Sequence, residues 1–120
     1  MRILSLDQST QKTGWAIFKD GELEDYGLLD FHTMKDKDDR VITMGAAIMV
    51  LIENQYPDLI AVENVNLQNP NVHTMLALAR LQGMILLAAH LVNQNLKVVF
   101  YYPVSWRKKV GMTTGKGIKR

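Results

Sequence analysis

The apolar positions change period along the chain. Arg2–Leu6 is a short strand-like run ending at Asp7, and Thr13–Lys19 and Glu22–Phe31 are two more strand-like runs. Asp20-Gly21 separates the last two, and an Asp-Gly loop supplies the positive φ values that a type I′ hairpin turn requires. The spacing then shifts to three and four: Val41, Met44, Ile48, Leu51, Ile52 and Gln55 or Tyr56 fall on one side of a helix. Asp36, Asp38 and Asp39 supply a cap and favourable charge at its start, and Pro57 stops it. Leu59–Val62 is a short buried strand ending at Glu63. Asn69-Pro70 reads as a cap with proline at the first position of a helix reaching about Gln94. That helix is apolar on nearly every side, from Met75 and Leu76 to Leu91 and Val92, which predicts burial on more than one face. One face can meet the sheet and another a partner subunit. Lys97–Tyr102 is a last strand, and Pro103 opens a short helix closed by Gly111.

This order predicts an α/β fold. An antiparallel, hairpin-linked trio followed by two parallel strands gives a mixed five-stranded sheet with helices on both faces. Right-handed crossovers put the fourth strand beside the first. A chain of 120 residues without repeats, linkers or low-complexity tracts fits one domain.

The formal charge of +2 does not announce a nucleic-acid binder, but its distribution is uneven. Arg107, Lys108, Lys109, Lys116, Lys119 and Arg120 carry six positive charges with no acid among them, leaving eight bases against twelve acids elsewhere, a net of −4. The absence of cysteine excludes disulfides, thiol nucleophiles and cysteine-based metal centres, and fits a reducing cytoplasm. Met1-Arg2-Ile3-Leu4 runs straight into a strand without signal-peptide architecture. Met75–Val92 is interrupted by Arg80, Gln82, Gly83 and His90, which makes it a poor membrane span. The expectation is a cytoplasmic protein with no membrane partner.

Asp7 and Glu63 each end a predicted buried strand. If those strands are parallel neighbours, both acids reach the rim where open α/β sheets place their ligands. Two adjacent carboxylates repel, and a hard divalent cation relieves them and can act on a phosphodiester. An aspartate after a strand is also a common turn former, and Glu63-Asn64 reads equally well as a solvated strand end. On spacing alone both alternatives stay open.

Leu4-Ser-Leu-Asp7-Gln-Ser-Thr-Gln-Lys-Thr13-Gly14-Trp15-Ala16-Ile17 resembles the opening strand and hairpin of RuvC-like Holliday junction resolvases, nucleases of the RNase H-like superfamily. Ile60-Ala-Val-Glu63-Asn is similar to their second acidic motif, and the acid spacing, the apolar helix and the Tyr101-Tyr-Pro103 strand exit also match. The resemblance spans essentially the whole chain and is nearest to short phage-type members. It implies a metal-dependent endonuclease that nicks branched DNA, with Asp7 and Glu63 as catalytic metal ligands. Mg²⁺ would be the usual ion and Mn²⁺ a substitute. It also implies a homodimer through the helix around residues 70–94, in a bacterial or phage-infected cell. Family members carry further acids in a last helix, whereas no acid follows Glu63 here. The expectation is one RNase H-like domain over 1–120 lacking that helix.

The basic, glycine-rich stretch holding Arg107, Lys108, Lys109, Lys116, Lys119 and Arg120 suits phosphate contacts, although a charge run is more commonly a solvated tail. It resembles the family's Gly-x-Gly loop, with Lys119 a candidate for the lysine that follows. Asn64 and Asn66, in a polar loop after Glu63, are candidates for entering a junction, or only cap the next helix. His32, His73 and His90 show no ligand spacing, Trp15 reads as core, and Ser9 and Ser105 lack a base partner. Two rivals remain. Leu6-Asp7-Gln8-Ser9-Thr10 is similar to the first phosphate loop of actin-like kinases, although those need a second domain. A non-catalytic junction-binding fragment is the other.

Overall fold

The computed structural model describes residues 1–63 and 71–101. Seven elements follow one another: β1 (Arg2–Asp7), β2 (Lys12–Lys19), β3 (Glu22–Asp30), α1 (Lys37–Gln55), β4 (Leu59–Glu63), α2 (Val72–Val92) and β5 (Lys97–Tyr101). The strands make one sheet in the order β3-β2-β1-β4-β5, with the fourth strand beside the first as right-handed crossovers require. β1 to β3 pair antiparallel, while β4 runs parallel to both β1 and β5.

Local chemistry sets the boundaries. Asp20 (φ 52°) and Gly21 (φ 86°) both take positive φ, the demand of the expected hairpin turn. The N-terminal amine donates to Asp20 at 2.7 Å and holds that carboxyl below the usual range. Asp36 caps α1 by accepting from the Asp39 amide at 2.9 Å, and Tyr56 closes it in the left-handed conformation (φ 44°) before Pro57. Tyr56 is exposed and stands off the apolar stripe. Gln55 takes the inner position, where Arg2 grips it: Nε donates to the Gln55 carbonyl at 3.2 Å and Nη2 to its Oε1 at 2.9 Å. The cap of α2 is Asn71, whose side chain accepts from the Thr74 amide at 3.2 Å, so the helix starts later than Asn69-Pro70 implied. Asn93 ends it, its amide bonding the Ala89 carbonyl, one to two residues before Gln94.

Alternation along the strands decides which face is buried. Leu4 and Leu6 of β1, Ile17 of β2, and Ile60 and Val62 of β4 lie on one face and are fully enclosed. Met44, Ile48 and Ile52 of α1 and Leu81 and Ile85 of α2 close over them. Each such side chain contributes about 1.5–3 kcal/mol by leaving water. Trp15 packs at the edge of this core and is only partly buried. Gly45 lets the helices cross closely, since a Cβ there would meet the Met84 methyl. Both described helices cover this one face. The opposite face leaves Leu23, Tyr26, Leu28 and Val99 exposed, and the helix expected after Pro103 lies outside the described residues.

By length and composition α2 is apolar enough to cross a membrane, contrary to the expectation from its interrupting polar residues. In the fold Leu81, Ile85, Ala88 and Ala89 tie one side of it into the core. Its other side presents Val72, Leu76, Leu86, Leu87 and Leu91 to solvent.

Candidate active site at one rim of the sheet

β1, β4 and β5 run in the same direction, so their C-terminal ends share a rim, and both helices begin there. Asp7 is the last residue of β1 and Glu63 the last of β4. The register pairs Leu6 with Val62, so one further step sets Asp7 opposite Glu63. Adjacent strands are about 4.8 Å apart, within the span of two carboxylates sharing one ion. Because Leu6 and Val62 point into the core, alternation turns Asp7 and Glu63 towards the face that α1 and α2 leave uncovered. Asp7 is exposed and Glu63 half-buried.

Hydrogen bonds hold the rim in place. Gln8 Nε2 donates to the Glu63 carbonyl at 3.3 Å, bridging the ends of the two strands. The Gln8 Oε1 is buried and has no partner among the described residues. Ser9 Oγ accepts from the amides of Gln11 (3.1 Å) and Lys12 (3.2 Å), which makes Ser9 a turn former. The wholly buried Thr13 donates its hydroxyl to the Ser9 carbonyl at 3.0 Å and accepts from the Ser9 amide at 3.3 Å. The segment leaving Asp7 is thus fastened on both sides.

Two carboxylates are a hard-oxygen donor set, which suits Mg²⁺. That ion is ordinarily held by one or two carboxylates, with substrate phosphates and waters completing its octahedron. Among the described residues no group of three or more His, Cys, Asp or Glu side chains is arranged to hold a metal ion. Asn64, Asn66, Arg107, Lys108, Lys109, Lys116, Lys119 and Arg120 lie outside the described residues. His32 pairs with Asp30 and, mainly by hydrogen bonding, holds that carboxyl below its usual range. His90 is exposed in the last turn of α2. His73 lies in the first turn of α2 and lines a cavity beside Lys37 and Arg40. Sequence reasoning passed over Gln8, Lys37 and Arg40. Only the adjacency of Gln8 to Asp7 offered a signal.

The family model described as crossover junction endodeoxyribonuclease RuvC matches residues 3–119. No curated protein matches significantly in sequence. Among solved structures, Thermus thermophilus RuvC in complex with a Holliday junction substrate superimposes with a TM-score of 0.77 at 15% identity, covering 90% of this chain and 68% of that one. The yeast mitochondrial Holliday junction resolvase gives 0.64 at 14% identity, covering 91% and 55%. Fowlpox virus resolvase with Holliday junction DNA gives 0.54 at 19% identity, covering 99% and 65%.

Proposed function

Since this chain belongs to the RuvC family of crossover junction endodeoxyribonucleases, we propose that it nicks four-way DNA junctions as a metal-dependent symmetric dimer, with Asp7 and Glu63 as its catalytic carboxylates. The observation carrying this reading is the register that brings the ends of β1 and β4 side by side at the rim from which both helices start. Asp7 and Glu63 would hold a Mg²⁺ or Mn²⁺ ion, which would supply Lewis acidity to the phosphodiester. The chain's own contribution is positional. The two carboxylates fix where a cation can sit at the rim, and Gln8 keeps the Glu63 strand end in register with Asp7. Asn64 and Asn66 meet the branch point. Arg107, Lys108, Lys109, Lys116, Lys119 and Arg120 bind backbone phosphates, which fix orientation without reading sequence.

The dimer forms through α2. Val72, Leu76, Leu86, Leu87 and Leu91 leave an apolar surface on one helix, and a two-fold substrate is best matched by a two-fold protein. A second reading, a junction-binding module that does not cut, is supported by the absence, among the described residues, of a third acid placed to hold an ion with Asp7 and Glu63.

A single gel series separates the two readings. A synthetic four-way junction and a linear duplex are incubated with the chain in EDTA, Mg²⁺ or Mn²⁺. Junction-selective nicking in metal alone supports the nuclease. Binding without nicking in any metal selects the non-cutting module, and no binding to either DNA sinks both.

A further inference from the structure

A cavity of about 350 Å³ opens at the same rim, but on the helix side of the sheet. Its walls come from three places: Ser9 and Thr10 in the β1–β2 loop, Lys37 and Arg40 in the first turns of α1, and His73 and Thr74 in the first turn of α2. Among the described residues no carboxylate lines it. Asp36, beside Lys37, is occupied in capping α1, and Asp38 faces a different groove with Ile42 and Arg80. Among the described residues neither Lys37 nor Arg40 enters a salt bridge. The Arg40 guanidinium is anchored through Nη1, which donates to the Met34 carbonyl at 3.0 Å. Its Nε–H is buried and has no acceptor among the described residues. Two cations without a carboxylate partner, one of them anchored in place, make the cavity electropositive, and it suits an anionic group. Hydroxyls at Ser9 and Thr10 and an ammonium at Lys37 converge on a group with several acceptor oxygens.

We infer that this cavity holds a non-scissile phosphate of the DNA backbone, with Lys37 and Arg40 as its cationic contacts. The inference rests on the junction reading above. Ser9 and Thr10 lie two and three residues after Asp7, so the cavity and the carboxylates share one rim from opposite faces of the sheet. A strand crossing that rim is held by the cavity at one point while the carboxylates meet it at another.

The test is junction binding in EDTA across a salt series, for wild type, Lys37→Gln, Arg40→Gln and the charge-matched control Lys19→Gln. Lys19 sits at the opposite rim, where β2 ends. Lys37 is exposed and bears no fold contact that its loss would break, which keeps the test informative should Arg40→Gln unfold. The expected result for Lys37→Gln is roughly tenfold weaker binding and a salt slope shallower by about one, the value of one lost phosphate contact. Lys19→Gln should leave the slope alone. Equal effects of Lys37→Gln and Lys19→Gln, or none, would overturn the site while leaving the junction reading intact. A wild type that binds no DNA overturns both. An ATP-binding arm completes the design: if Lys37→Gln weakens ATP binding and spares DNA, the cavity serves a nucleotide and the DNA assignment fails.

Discussion

Replacing Gly83 with alanine should strengthen the monomer and weaken the proposed dimer, two effects of opposite sign from one methyl group. Gly83 lies in the middle of α2, and a Cβ built there meets nothing within 4 Å. An exposed helical glycine costs about 1 kcal/mol relative to alanine. The variant monomer should therefore gain about that much, or roughly 4 °C in Tm for a domain of this size. The glycine sits among Leu76, Leu86, Leu87 and Leu91, which are 49%, 47%, 58% and 66% exposed. Full burial of a leucine contributes about 1.5–3 kcal/mol, so covering the remaining half of each yields about 1 kcal/mol per side chain. Both protomers contribute, but rigid-body association costs about 4–15 kcal/mol. The dimer is expected to be sensitive to small losses for that reason. A methyl forced between two closely crossing helices costs about 1–3 kcal/mol, twice over if the two-fold axis passes near Gly83, so the dissociation constant should rise at least about fivefold. Sedimentation equilibrium over a dilution series gives the dissociation constant. Urea unfolding below that constant gives the monomer's stability. Unchanged dimerisation with a stabilised monomer would move the contact away from Gly83, and a destabilised monomer would mean that the open space is filled.

Two other expectations concern the fold. Gly27→Ala should cost about 1–3 kcal/mol in urea unfolding, because its Cβ would fall 2.7 Å from ring atoms of the cross-strand Trp15; a neutral result would show the indole free to move. Asp30 has its carboxyl held low by His32, so the pair's contribution is present above the ordinary carboxylate range near ~3.9 and is lost as pH falls through the lower folded value. NMR titration should find Asp30 below that range, and His32→Ala should raise it part of the way, the amide of residue 32 and Lys12 still holding it down; an Asp30 titration indifferent to His32→Ala would refute the assignment.

The sequence was most legible where one short signal admits one backbone answer. Asp20-Gly21 required positive φ at two successive residues, and the three-four spacing from Val41 to Ile52 matches the buried face of α1. The adjacency of Asp7 and Glu63 followed from strand ends and crossover handedness together. Features that depend on distant contacts stayed hidden. Asn71 and Asn69 carry the same capping chemistry, and only the packed helix distinguishes them. Arg2 gave no sign that it would grip Gln55 and also pair with Glu24 at 2.6 Å. Nor could periodicity show that Lys37, Arg40 and His73, from two helices, line one cavity. The all-apolar helix signalled burial on more than one side. Gly83 within its exposed face became informative only when the space around it was seen to be open.

The measurement bearing most directly on the central claim compares wild type, Asp7→Asn and Glu63→Gln on one labelled four-way junction in Mg²⁺, with binding and cleavage read in parallel. Both variants should bind at least as tightly as wild type, since each removes a negative charge from a surface that meets phosphate. Both should lose nicking by a factor of at least about 10², the scale expected when a group that organises the reacting centre is removed. Nicking by either variant at the wild-type rate would contradict the assignment of these carboxylates and place the chemistry elsewhere in the chain.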